Sequence, residues 1–209
     1  MLRGCLSDIA GVTGQSSTSR ELLRQALSNS ALSGRERIWL TTILAETATR
    51  TGAIREAEQY FSEAFKIGIK DQYLLGAYAD YLLDQRRYQG VISLLQSETR
   101  ADGLLLRLAL AEQALELPAL QNHTAELAAR FAAGRERGTT VHIREEARFT
   151  LNLLRDARQA LPLAQTNWRV QREPADARIL LECALAEGNR TAAKPVLEWL
   201  NRNQVEDFR

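Results

Sequence analysis

The sequence predicts an all-α fold, an α-solenoid of about six helix-turn-helix hairpins laid in series, and three observations lead there. A loop residue is followed five positions on by a small residue and four further by a bulky apolar one. Gly14, Ser19, Leu23 and Ala26 show this spacing, and Gly52, Ala57, Phe61 and Ala64 repeat it. Arg86, Val91, Leu95 and Glu98 give a looser copy, and Gly188, Ala193, Leu197 and Leu200 restore it. The loop residues that open each second helix, Gly14, Gly52, Arg86, Glu116, Arg155 and Gly188, recur at intervals of 30 to 39 residues. A two-helix unit of that length cannot bury its apolar face alone and must stack on its neighbour. Composition agrees: the 209 residues are 45% hydrophobic and 25% charged but only 6% aromatic, which suits Ala- and Leu-rich helices at close range.

The hairpins fall at about 1–33, 38–71, 72–101, 102–134, 141–173 and 174–203. In the first, Ser16 to Ser19 read as a loop and helix N-cap supported by Glu21. Its expected opening turn falls before Met1, which predicts that the chain is the C-terminal part of a longer protein. The second and third carry a large residue followed by a small one in their first helix, Leu44 with Ala45 and Tyr78 with Ala79. Leu108 with Ala109 does the same in the fourth, and Leu6 with Ser7 in the first. Ala147 with Arg148 and Leu180 with Leu181 fit this pattern poorly. Pro118 is expected in the first turn of the helix that follows Glu116, where its missing N–H leaves nothing unpaired. Pro162 and Pro195 are expected near the starts of second helices. Gly134 to Thr140 reads as a longer loop, and Asn201 to Arg209 as a solvated capping end.

These positions resemble the tetratricopeptide repeat (TPR) family over nearly the whole chain. The likeness is strongest from Ile38 to Glu98, although the family's proline at the end of each second helix is replaced by Ile69 and Leu105. The Ala- and Arg-rich second half, with Trp168, Pro174 and Glu198 to Leu200, resembles uncharacterised bacterial TPR proteins, for which the likeness supplies no activity. The resemblance implies a right-handed superhelix whose first helices line a concave groove for an extended peptide or a partner helix. Carried over by position, the groove takes Trp39, Thr42, Glu46, Thr49 and Arg50, then Tyr73, Gly76, Asp80, Leu83 and Asp84, then Leu106, Leu110 and Gln113. Thr42, Glu46 and Asp80 stand where a carboxylate clamp would need Lys, Asn or Arg. Glu46, Asp80 and Asp84 instead suit a protein or peptide partner with basic groups beside apolar anchors, because an acidic concave surface attracts cations.

Composition and motifs bound the alternatives. Lys and Arg total 27 against 26 Asp and Glu, a net charge of +1, so nucleic-acid binding is disfavoured. No apolar run is long enough to span a bilayer, and Met1 to Ile9 is too polar for a signal segment. Cys5 and Cys183 have no paired spacing and read as buried small hydrophobes. Gly11 to Ser16 lacks the lysine of a phosphate loop, and the Ser16 to Ser19 run lacks the glycines of a nucleophile elbow. His142, Glu145 and Glu146 share neighbouring helix positions, but without a second ligand cluster they read as a solvated first turn and not as a metal site. His123 stands alone. Trp168 and Trp199 read as packing residues.

A non-catalytic protein–protein interaction scaffold without cofactor is therefore the expected function. The alternative is a regulatory or substrate-presenting helical region of an enzyme whose catalytic part lies outside this chain. Homo-oligomerisation is a further expectation, through the apolar faces of Leu6, Ile9 and Leu23 in an uncapped first hairpin. The alignment places Ala57 where the two helices of its hairpin cross, and Phe61 one turn later between hairpins. Phe61→Ala should cost about 3–5 kcal/mol in a urea titration, as truncating a buried aromatic does; a loss below about 1 kcal/mol would put Phe61 on the surface.

Overall fold

A computed structural model describes residues 13–138 and 142–207, and all regular structure among them is helical. Eleven helices follow one another: α1 (Ser16–Leu27), α2 (Gly34–Arg50), α3 (Ile54–Lys66), α4 (Gln72–Asp84), α5 (Tyr88–Leu95), α6 (Asp102–Ala114), α7 (Leu120–Glu136), α8 (Ile143–Asn152), α9 (Ala157–Val170), α10 (Pro174–Ala186) and α11 (Arg190–Asn203).

Local chemistry explains several of the starts. Ser33 caps α2 in a reciprocal box: its Oγ accepts from Glu36 N at 3.3 Å while its own N donates to Glu36 Oε2 at 2.8 Å. Those Ser33 donors hold the Glu36 carboxyl below its ordinary range. Asp156 accepts from Gln159 N at 2.9 Å to start α9. Pro174 opens α10 behind a second box, in which Glu173 N donates to Asp176 Oδ2 at 2.8 Å.

The turns between paired helices share one backbone device. Nine described residues have positive φ, and six of them are the anchors: Gly14 (69°), Gly52 (74°), Arg86 (55°), Glu116 (53°), Arg155 (57°) and Gly188 (67°). After α2 the left-handed Gly52 lets Ala53 N reach back to Ala48 O at 2.8 Å, and Gly52 N bonds Thr49 O at 3.2 Å. This Schellman closure satisfies two of the carbonyls a helix end leaves open. It recurs after α4 (Arg87 N to Leu82 O, 2.8 Å), after α6 (Leu117 N to Glu112 O, 3.0 Å) and after α10 (Asn189 N to Ala184 O, 2.8 Å). Arg155 closes a wider turn, with Asp156 N on Thr150 O at 3.0 Å.

The small residues lie where helices meet. Ser19, Ala57, Val91 and Ala160, each five positions past an anchor, are wholly inaccessible. Leu23, Phe61 and Leu95, four further, are buried. The last copy is shifted by one residue: Ala192 and Val196 are buried, whereas Leu197 is 53% exposed. After Glu116 the helix starts late. Pro118 sits in the turn before Leu120 instead of in its first turn, so the buried residues become Leu127 and Phe131.

The helices gather into two compact units, one running to Tyr81 and resuming at Leu200, the other from Leu82 to Trp199. In the first, α1 packs on α2 and α2 on α3. Leu23, Leu40, Ile43 and Leu44 form a core against which Trp39 and Tyr60 lean. A second cluster joins Phe61 to Tyr78 and Tyr81 at ring distances of 5.0 and 5.3 Å, with Phe65 on Tyr78 at 5.2 Å. In the second unit α5, α6 and α7 pack in order, as do α8, α9 and α10, and α6 also meets α8 and α8 meets α10. Trp168 and Trp199 pack edge to face at 5.3 Å.

Three expectations need correction. Ser16 to Ser19 form the first turn of α1, not a loop, and its N-cap residue Gln15 makes no side-chain capping bond; Ser16 and Ser19 are buried. Gly134 belongs to α7, which continues to Glu136. Leu23 is inaccessible and so offers no surface to a second copy, while Leu6 and Ile9 lie outside the described residues. The C-terminal end is largely exposed, as a solvated cap is, yet it also touches the start of α1: Glu206 Oε2 accepts from Ser16 N at 3.2 Å, and a Cβ on Gly14 would fall 2.8 Å from Gln204 O.

The left-handed turns generate a stability prediction. An L-residue with a Cβ in this conformation costs roughly 1–2 kcal/mol, partly offset by the greater chain entropy that glycine loses on folding, about 0.5–1 kcal/mol. Arg86→Gly and Glu116→Gly should each therefore raise stability by about 0.5–1 kcal/mol in denaturant, while Gly52→Ala should lower it by about 1 kcal/mol.

Candidate functional site

The first helices of the hairpins were expected to line the binding face, and the structure sorts those positions into interior and surface. Thr42 and Leu106 are inaccessible and Arg50 is buried, so these three do not present a side chain to a ligand. Thr42 Oγ1 is turned onto Ile38 O at 2.7 Å, and Arg50 Nη2 onto Thr47 Oγ1 at 3.3 Å. The reason is that α2 and α6 are buried around most of their circumference, with Ile38, Leu40 to Ala45 and Thr47 to Arg50 all inside in α2. A one-face periodicity therefore assigns too many outward positions. Trp39 is half-buried against the core of the first unit. In that unit Glu46 accepts a hydrogen bond from the Tyr73 hydroxyl, which ties α2 to α4, and Asp80 is half-buried on α4. In the second unit Asp84 and the half-buried Leu110 remain at the surface of the first helices.

Within the second unit, side-chain contacts fix how α6, α8 and α10 run. At their N-terminal ends, a Cβ on Gly103 would lie 3.9 Å from Glu145 Cγ, and Arg144 Nη1 reaches Glu173 Oε2 at 2.9 Å and Asp176 Oδ1 at 3.3 Å. At the C-terminal ends of α6 and α8, Arg155 Nη2 lies 3.5 Å from Gln113 Oε1. α6 and α8 thus run parallel, and α10 begins beside the start of α8 and packs on it. Asp176, wholly inaccessible, also accepts from Asn167 Nδ2 at 2.7 Å, so one buried carboxylate links α8, α9 and α10. Burial pulls the Arg144 pKa down, but Glu145, Asp176 and Glu173 outweigh it, and the guanidinium stays charged.

An ion pair joins residues 94 positions apart in this unit. Arg178 on α10 donates from Nη1 to Asp84 Oδ1 and Oδ2 at 2.8 and 3.0 Å, and from Nε to Glu182 Oε1 at 2.8 Å. The last turn of α4 therefore meets α10, although two whole hairpins intervene in the chain. Sequence reasoning missed this contact. The Arg178 to Glu182 spacing was visible as an i, i+4 pair, but nothing local marks Asp84 as its partner.

The other chemical candidates are dispersed. His142 is an exposed N-cap, Glu145 pairs with Arg144, and Glu146 with Arg135 from the end of α7. His123 Nδ1 lies 2.8 Å from Glu112 Oε2, a buried carboxylate on α6, and so is not isolated. Among the described residues no group of three or more His, Cys, Asp or Glu side chains has the arrangement of a metal centre, and no helix is long and apolar enough to cross a membrane. A shallow depression of about 440 Å³ in the first unit is lined by Glu58, Ser62, Phe65, Lys66 and Tyr78, with Tyr78 Oη donating to Glu58 Oε1 at 3.1 Å. No family model and no curated protein matches the chain.

Cys183 is inaccessible on α10, and burial together with the Glu182 charge pushes its thiol up to about 12. Because the folded state prefers the neutral thiol, its contribution to stability is complete below the ordinary value of 9.0 and is lost as pH rises toward about 12. At pH 8, iodoacetamide should therefore label the Cys183 peptide at least about a hundredfold more slowly in the native protein than in urea, read by mass spectrometry.

Proposed function

We propose that this chain is a non-catalytic protein–protein interaction scaffold, a right-handed α-solenoid of about six TPR-like hairpins that binds a peptide or partner helix along the face of its first helices. The observation that supports this reading is the side-by-side packing of α6, α8 and α10, with Arg144 joining the starts of α8 and α10 and Arg155 and Gln113 joining the ends of α8 and α6. First helices pack side by side when each hairpin repeats the displacement of the one before, and the recurrent left-handed turns supply that repetition.

Such a face recognises its ligand with rigid helical positions, so little ordering is lost on binding. Asp84 and Glu182 offer acceptors, Gln113 a donor and an acceptor, and Leu110 an apolar contact. A segment with lysine or arginine next to an aliphatic anchor fits this chemistry.

A displayed library of random peptides, panned against the purified protein, tests the reading. Enriched peptides should carry a basic residue beside an apolar one, and Gln113→Lys with Glu182→Lys should weaken them at least tenfold by fluorescence anisotropy. Lys66→Glu, in the depression on α3, should leave them unchanged. Peptides insensitive to the α6 and α10 substitutions, or lost with Lys66→Glu, would overturn the first-helix face as the binding surface.

A further inference from the structure

The ion pair between α4 and α10 stands apart from the structural ion pairs of the molecule in what it connects. Arg144 and Arg130 bind elements that are close in the chain and packed by other contacts. Arg178 instead reaches past the hairpins containing α6 and α8 to the end of α4. Asp84 and Arg178 both lie on first helices, so the Arg178 side chain is held among the positions that the interaction reading assigns to a ligand.

Its surroundings set how firmly it is held. The Asp84 side chain is 14% exposed, whereas those of Arg178 and Glu182 are 43% and 40% exposed. Water reaches the pair from the α10 side. An ion pair this open biases a closed arrangement by no more than about fivefold. It is too weak to be a principal support of the fold. It is strong enough to set a threshold for ligands, because a guanidinium that makes the same two bonds to Asp84 competes on equal chemical terms.

We propose that Arg178 is a built-in competitor, a clasp that occupies Asp84 and Glu182 until an arginine-bearing segment of a partner protein displaces it. The inference rests on the scaffold reading and specifies how its site is regulated. Displacement leaves Arg178 free in solvent at little cost, since its side chain is already half outside. The incoming guanidinium takes the place of Arg178, with one nitrogen between the two Asp84 oxygens and another on Glu182. Lysine serves less well, because Arg178 uses two nitrogens of one plane, Nη1 for Asp84 and Nε for Glu182, and a single ammonium does not reproduce that spacing.

Removing the clasp tests this directly. The probe is N-acetyl-arginine methylamide, with its lysine and citrulline counterparts, titrated by NMR into the full chain and into Arg178→Gln. Circular dichroism melting checks that the variant is folded. Arg178→Gln should bind the arginine probe about fivefold more tightly than the unaltered chain, with shifts at residues 84 and 182. The lysine probe should bind less tightly and the citrulline probe should not bind, and Asp84→Asn together with Arg178→Gln should abolish the gain. Equal binding of the arginine probe by both proteins, or a gain that survives Asp84→Asn, would overturn the clasp while leaving the library result for the scaffold intact. Absence of binding to Arg178→Gln would overturn it as well, whereas loss of the scaffold reading would appear separately, as library peptides indifferent to the α6 and α10 substitutions.

Discussion

The fold depends on one backbone constraint, the left-handed residue that ends the first helix of each hairpin. At Gly52, Arg86, Glu116 and Gly188 this residue turns the chain so that the next N–H closes on a carbonyl in the last turn, and the second helix starts within a few residues. The turn fixes where the second helix begins, and so which residue comes first into contact with its partner. Five positions past Gly14, Gly52, Arg86 and Arg155 that residue is Ser19, Ala57, Val91 and Ala160, and each is wholly inaccessible where helices approach closely. Burial follows from the turn at Gly52 and Arg86, while the wider turn at Arg155 keeps the same register and the last copy after Gly188 shifts by one residue. Where its sequel changes, as with Pro118 after Glu116, the apolar register moves down the helix to Leu127 and Phe131.

Two kinds of polar contact then do different work in the second unit. Asp176 is shut away from water and held by Asn167, Arg144 and the Glu173 backbone, so it ties three helices together with little freedom to rearrange. Removing one member of such a network leaves a buried charge uncompensated, the costly case for an ion pair. Arg178 with Asp84 lies at the open end of the scale, where solvent competes and the net gain is small. The first contact holds α8, α9 and α10 together, and the second adds little to the stability of the unit.

Much of the fold was legible in the residues. The spacing from loop residue to small residue to bulky residue located the six turns, including three at Arg86, Glu116 and Arg155, where no glycine announces them. It also placed Ala57, Phe61, Leu23 and Leu95 inside. The candidate site was legible only in part. Asp84 and Leu110 do reach the surface, but Thr42, Arg50 and Leu106 do not, because their helices are covered on more than one side. A periodic pattern reports that a face is apolar. It does not report how many neighbours surround the helix.

The sequence by itself determined the all-helical class, the positions of the turns and the identity of the close-packing residues, because each of these is set by interactions within a few residues along the chain. Tertiary structure alone decided which charges meet. That Arg178 would find Asp84, that Gln204 would lie against Gly14, and that Asp176 would be sealed between three helices depend on small rotations at each turn. Those rotations add up over several hairpins, and no local spacing encodes their sum.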